Sequence, residues 1–216
     1  MKLKKINSTL QENLSKNGLL EPTTLQKKTF GTIKSGRDVV IFGPKEQGKT
    51  TAMIIAALQR TERPVEGEIA TRVLIVVKDK FEVERLMEVF EEYSRYTDLR
   101  IYGVHDYTDL DEDKNLLSLG NDILIGTANR LNEMFASAGF DVNQLRMYII
   151  DDIDIQLRNR LEPRLHRLSE SIGKTQRLYL ATEFVEQLDM FADKSLSEDA
   201  EWFDFYDDDE EEEDNE

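Results

Sequence analysis

Two short stretches carry residue types whose spacing could do chemistry together. The first is Phe42-Gly43-Pro44-Lys45-Glu46-Gln47-Gly48-Lys49-Thr50, where a glycine, four residues and Gly-Lys-Thr follow in order. That spacing suits a loop wrapped around phosphate oxygens. Glycines let the backbone approach closely, and N–H groups at a helix N-terminus supply positive charge. Lys49 would reach the outer phosphates and the Thr50 hydroxyl would bind Mg²⁺, with Gly43, Lys45, Gln47, Gly48 and Thr51 completing the cradle. Pro44 removes one backbone donor and Glu46 adds a negative charge that Lys45 partly offsets, so weakened binding is expected. The second stretch is Tyr148-Ile149-Ile150-Asp151-Asp152-Ile153-Asp154, an apolar run that ends in carboxylates. Asp151 would hold Mg²⁺ through water, beside Thr50, and Asp152 stands where a base or water-positioning carboxylate belongs.

These residues need strands and helices to hold them. Asp38 to Phe42 is a short apolar run, read as a buried strand, and Thr51 to Leu58 as an apolar helix. The alternation then repeats. Strands are expected at 73–77, 100–102, 122–125, 147–150 and 177–180, and helices at 81–93, through 130–134 and at 155–171. Two helices precede the first strand, at 7–17 with Asn7 or Ser8 as N-cap and from Pro22 to about Lys34. Alternating strand and helix predict an α/β domain with a mostly parallel sheet and helices on both faces.

Composition sets the remaining bounds. The chain has 216 residues, no cysteine and two histidines, His105 and His166, so thiolate and histidine metal centres are disfavoured. The formal charge is −16, yet 13 acids and no bases lie between Glu198 and Glu216, which leaves −3 for residues 1–197. The expected organisation is one domain over residues 1–196 and a disordered acidic tail over 197–216, with Trp202, Phe203, Phe205 and Tyr206 interrupting the acids. The absence of cysteine fits a cytoplasmic protein, and no segment reads as a signal peptide or a membrane span.

In motif order the chain resembles the DEAD-box RNA helicases over roughly residues 5–195. Gly18-Leu19-Leu20-Glu21-Pro22-Thr23-Thr24-Leu25-Gln26 looks like the Q motif, and the resemblance implies that Gln26 reads the adenine edge. Gly36-Arg37-Asp38-Val39-Val40 matches the lead into the phosphate loop, and Asp151-Asp152-Ile153-Asp154 stands for Asp-Glu-Ala-Asp. Gly126-Thr127-Ala128-Asn129-Arg130-Leu131 looks like the Thr-Pro-Gly-Arg element, and Leu180-Ala181-Thr182 stands for Ser-Ala-Thr. The resemblance implies a RecA-like fold, ATP or ADP with Mg²⁺ as cofactor, and RNA contact through Gly103, Thr127 and Arg130.

The departures are equally specific. The catalytic glutamate is Asp152, the middle loop glycine is Glu46, an RNA-binding arginine is Asp79, the second of two glycines is Val104 and the coupling serine is Leu180. The aromatic that stacks on adenine has no counterpart, with Leu3 and Lys4 near its position. The family's arginine finger, worth about 10³–10⁵ in rate, comes from a second domain. Two functions are therefore expected to compete. One is an ATP-binding, weakly RNA-associating single domain that does not unwind RNA by itself and hydrolyses ATP slowly, or with a partner that supplies a second RecA-like domain. The alternative is a non-catalytic interaction protein with a decayed nucleotide site, whose acidic tail binds basic partners.

Overall fold

The structure, a computed structural model, describes Leu3 and residues 5–206. Two helices come first, α1 (Ser8–Lys16) and α2 (Thr24–Ser35). There follow β1 (Val39–Phe42), α3 (Lys49–Thr61), β2 (Val73–Val77), α4 (Lys80–Tyr93), β3 (Ile101–Val104), α5 (Leu110–Ser118) and β4 (Ile123–Thr127). The second half holds α6 (Ala128–Ala136), β5 (Met147–Ile150), α7 (Ile153–Arg158), α8 (Glu162–Ser171), β6 (Gln176–Ala181), α9 (Glu186–Ser195) and β7 (Glu201–Asp204). The strands form one sheet in the order β3-β4-β2-β5-β6-β1-β7, and every pairing is parallel.

The central strands bury both faces, which is why they read as unbroken apolar runs. Val39, Ile41, Ile75, Ile125, Ile149 and Leu180 face one layer with apolar residues of α1 to α4. Val40, Leu74, Leu124, Tyr148, Ile150 and Tyr179 face the other with those of α5 to α9. The result is three layers with two cores. No helix among the described residues is long and apolar enough to cross a membrane.

Polar groups collect at the strand ends. At the amino end of β2, β3 and β4 lies a buried ion cluster. Asp122 Oδ1 accepts from Arg72 at 2.7 Å and from Arg100 at 3.0 Å, while Arg72 also donates to the Thr61 carbonyl at 3.0 Å. Burial alone would raise the Asp122 pKa, but the hydrogen bonds from Arg100 and Arg72 hold it below its ordinary value.

The structure corrects three expectations. The helix expected at 155–171 is two helices, because Arg160 takes a left-handed φ of 60° between α7 and α8. Helices α5 and α9 are additions to the sequence reading; both are short and mostly exposed. The largest correction concerns the acidic end. Residues 201–204 are not tail but the edge strand β7, paired with β1 through Val40 and Trp202. Phe205 N–H donates to the Phe42 carbonyl at 3.0 Å, and the Phe205 ring is 3 % exposed in the core beneath α2. Alternate residues of β7 point to solvent while Phe203 and Phe205 point inward, so the charge run masks a period of two. Residues 207–216, the rest of the expected tail, lie outside the described residues. If β7 belongs to the domain, Phe205→Ala should lower the unfolding free energy by roughly 3 kcal/mol. An unchanged urea midpoint would remove the segment from the core.

Candidate nucleotide site

The phosphate-loop residues lie where β1 ends at the carboxyl edge and α3 begins. Gly48 takes φ 92°, and a Cβ there would sit 2.8 Å from Gln26 Nε2 and 3.2 Å from Thr23 Oγ1. Only glycine lets the loop pass this close to the start of α2. Glu46 is left-handed too, with φ 68°, a conformation that suits the glycine it replaces in the family pattern. The strain of a side chain in this region is on the order of 1–2 kcal/mol. The Lys49 ammonium is buried and donates to the carbonyls of Gly43 and Pro44 at 2.5 and 2.6 Å. Burial pushes its pKa below the ordinary value, and Asp151, Asp152 and Asp154 pull it part of the way back.

Across the cavity, β5 delivers the carboxylates. Asp151 is buried at the strand end, and its carboxylate accepts its neighbour's backbone N–H, from Asp152 at 3.1 Å. Burial, and then the charge of Asp152, push the Asp151 pKa up to about 7. Asp152 takes a left-handed φ of 48° and forms an ion pair with Lys78 at 2.6 Å. Asp154 is buried deeper and accepts the backbone N–H groups of Thr182 and Glu183, both at 3.2 Å. It thereby ties the loop after β6 to the loop after β5.

A cavity of about 520 Å³ brings Lys45, Glu46, Gly48, Lys49, Thr50, Thr51, Asp151 and Asp152 together. Lys78, Glu82, Arg85 and Thr182 also line it. Thr182 lies in the stretch that stands for Ser-Ala-Thr, but the sequence reading assigned none of these four to the site. Lys78 follows β2 directly, but its meeting with Asp152 depends on β2 lying beside β5, which local sequence does not reveal. The lining holds the four cations Lys45, Lys49, Lys78 and Arg85 against the four carboxylates Glu46, Glu82, Asp151 and Asp152. A polyphosphate would meet acidic groups as numerous as the cations here, and an added cation would favour it. Thr50 and the ion-pair-free carboxyl of Asp151 suit a hard, oxygen-liganded divalent ion such as Mg²⁺.

Three of the expected cradle residues do not face this cavity. Gln26 is 3 % exposed, and its amide is used at both ends: Oε1 accepts from Thr23 N at 3.1 Å and Nε2 donates to the Gly48 carbonyl at 3.3 Å. Gln47 Nε2 donates to the Phe205 carbonyl at 3.3 Å. A Cβ on Gly43 would meet Phe205 Cβ at 2.8 Å, so the loop also leans on the end of β7.

The residues expected to touch RNA lie farther along the same edge, at the ends of β3 and β4. Gly103 makes room for packing, since a Cβ would approach Val83 Cγ1 at 2.7 Å. Thr127 caps α6, accepting from Arg130 N at 3.4 Å, and donates to Asp106 at 3.3 Å. Arg130 is 4 % exposed. Its guanidinium donates to the carbonyl of His105 at 2.9 Å, to that of Thr108 and to Glu133 at 3.0 Å. It serves the loop 105–108 and leaves no open face for a phosphate.

A three-layer parallel fold, with a phosphate loop after β1 and paired carboxylates after β5, defines a RecA-like domain of the phosphate-loop NTPase class. Residues 23–185 match the family described as DEAD/DEAH box helicase, and the chain belongs to it. Similar curated proteins include the ATP-dependent RNA helicase eIF4A of Eremothecium gossypii, 24 % identical over 197 residues that cover 89 % of this chain and 49 % of that protein. The ATP-dependent RNA helicase dbp10 of Schizosaccharomyces pombe is 28 % identical over 149 residues, covering 69 % of this chain and 18 % of that protein. This chain thus spans about half of the first relative's length and less of the second's. Among solved structures, a DEAD box protein from Methanococcus jannaschii superposes with a TM-score of 0.85 at 14 % identity, over 93 % of this chain and 54 % of that one. Saccharomyces cerevisiae Dbp5 bound to Gle1 and IP6 gives 0.82 at 15 % identity, over 93 % and 50 %.

The buried carboxyl of Asp151 makes a pH-dependent claim. Its folded pKa of about 7 lies above the ordinary 3.8, so its contribution to folding stability is full below about pH 4 and is lost as pH rises toward 7. Asp151→Asn should therefore melt several degrees above the wild type at pH 8 without nucleotide, with the gap closing toward pH 4. Thermal melts across that range check it; a gap independent of pH would mean that Asp151 stays ionised.

Proposed function

We propose that this domain binds ATP or ADP together with Mg²⁺, associates weakly with RNA, and does not unwind RNA by itself. The observation that carries the reading is the convergence of Lys49, Thr50 and Asp151 on one cavity at the carboxyl edge. Polyphosphate would draw the Lys49 ammonium away from the Gly43 and Pro44 carbonyls that it now contacts. Thr50 and Asp151 would hold Mg²⁺, which would neutralise phosphate charge. Gln26 would meet adenine only by giving up its bond to the Gly48 carbonyl, so adenine selectivity should be modest.

Slow hydrolysis follows from the geometry of Asp152. Its carboxylate is held by Lys78 and is one methylene shorter than the family's glutamate, and a misplacement near 1 Å costs about a hundredfold. The described residues form one RecA-like unit, and in this reading a second such unit would complete an active cleft. For RNA, the reading favours Thr127 and the loop that Arg130 holds, with binding that weakens as salt rises. The Lys78–Asp152 pair also favours the alternative, an interaction protein with a decayed site whose acidic C-terminal stretch meets basic partners.

Calorimetric titration of ATP and ADP with Mg²⁺ separates the two. Saturable binding, with a nucleotide-induced rise in melting temperature that Lys49→Ala abolishes, is the expected outcome. An equal rise in the mutant would place the ligand elsewhere, and no binding at millimolar nucleotide would leave the interaction protein.

A further inference from the structure

The amino edge of the sheet, opposite the nucleotide site, carries a concentration of positive charge that nucleotide binding does not use. A cavity of about 730 Å³ opens where β1 and β6 begin, and its wall includes Arg37, Arg60, Arg146, Lys174 and Arg177. A second cavity of about 330 Å³ adjoins it and shares Arg60 and Arg146.

The acids nearby do not neutralise it. Asp38 is buried, and its carboxylate is spent on backbone N–H groups, from Arg177 at 2.6 Å and Ser197 at 2.9 Å. Glu201 pairs with Arg37. Glu62, on the wall of the smaller cavity, accepts from Gln59 at 3.2 Å. Asp199 stands exposed at the rim. Among the described residues no ion pair involves Arg60, Arg146 or Lys174.

Arg60 is also held in place. Its guanidinium donates to Gln176 Oε1, and Gln176 is itself pinned by donating to the carbonyls of Ile33 at 2.7 Å and Arg37 at 2.6 Å. Burial, and then the like charge of Arg146, depress the Arg60 pKa. Two guanidinium groups that disfavour each other, one fixed by a locked amide, are stabilised by an anion between them. Planar guanidinium groups match phosphate oxygens two at a time, and three unpaired cations suit a group with more than one negative charge.

We propose that Arg60, Arg146 and Lys174 form a second anion site, specific for phosphate groups, on the edge of the sheet remote from the phosphate loop. The phosphate could be free or part of a nucleic-acid strand, and the test distinguishes them. Pyrophosphate and a short single-stranded oligouridylate are titrated into the full chain at low salt. The proteins are wild type, Lys49→Ala and the double variant Arg146→Glu with Lys174→Glu. Both reversed residues are exposed, so folding should survive, and melting temperature checks it. Binding that persists in Lys49→Ala and falls at least about tenfold on charge reversal is expected, since one charge-assisted hydrogen bond is worth about that factor. Weakening confined to oligouridylate, with the salt slope reduced by about 0.7 for each phosphate no longer neutralised, would identify a nucleic-acid backbone. Weakening confined to pyrophosphate would identify free phosphate. Unchanged binding of both probes in the folded double variant would overturn the proposal. So would the disappearance of all binding in Lys49→Ala, because the phosphate loop would then account for everything. The charge-reversal result does not depend on whether ATP binds at the phosphate loop.

Discussion

Burial of both faces of a parallel sheet is the constraint on which the rest of the structure depends. A strand covered on both sides has no place for a charged side chain along its length, so polar chemistry is driven to the two edges. Of the strand residues in the middle of the sheet, Val76, Ile125, Ile149 and Leu180 are wholly buried. Charge appears just outside the strands, as Arg72 and Asp122 at the amino edge and as Lys78 and Asp151 at the carboxyl edge. Because every strand runs the same way, each edge collects like ends. The carboxyl edge gathers loops that begin helices and so presents backbone donors. The amino edge gathers loops that leave helices, where cations are favoured by the helix dipole. Arg60 in the last turn of α3 follows that rule.

At the carboxyl edge the same burial sets the electrostatics. Asp151 lies deep enough to hold its proton more tightly than a surface acid, and Lys49 deep enough to hold its own less tightly. Each disfavours its charged form alone. A polyphosphate with a divalent ion offers each the opposite charge that it lacks. Asp152, one residue farther out, has already found a partner in Lys78. Adjacent carboxylates thus have different assignments, set by one residue's difference in depth.

Much of this was legible in the sequence. The phosphate loop declared itself through Gly43, Gly48, Lys49 and Thr50, and the apolar runs before Gly43 and Asp151 located the strands that present them. Asn7 and Thr23 cap α1 and α2, and Asn7 was one of the two caps expected for α1. What stayed hidden depends on long-range pairing. The Lys78–Asp152 bond needs the strand order, and Arg130 reads as a free RNA contact until its four-sided enclosure is seen. The C-terminal end misled for a different reason. Glu201 and Asp204 gave residues 201–206 the composition of a tail, but a strand at a sheet edge keeps one side in water, where Asp204 lies, while Glu201 pairs with Arg37. Phe203 and Phe205, two apart, were the signal of a strand.

The loop after β6 shows how a missing group can be structurally replaced without restoring its role. In the family pattern a serine hydroxyl stands at the position of Leu180. Here the Leu180 side chain is fully buried among residues that face α1 to α4, so the position has joined the core. The loops after β5 and β6 are tied by the Asp154 carboxylate, which takes the N–H groups of Thr182 and Glu183. From the other side the Tyr206 hydroxyl donates to the Thr182 carbonyl at 2.9 Å. A serine hydroxyl can rotate and exchange partners; two backbone donors in one carboxylate cannot do so without moving the chain. The substitution thus keeps the loop in place while removing a group that could switch.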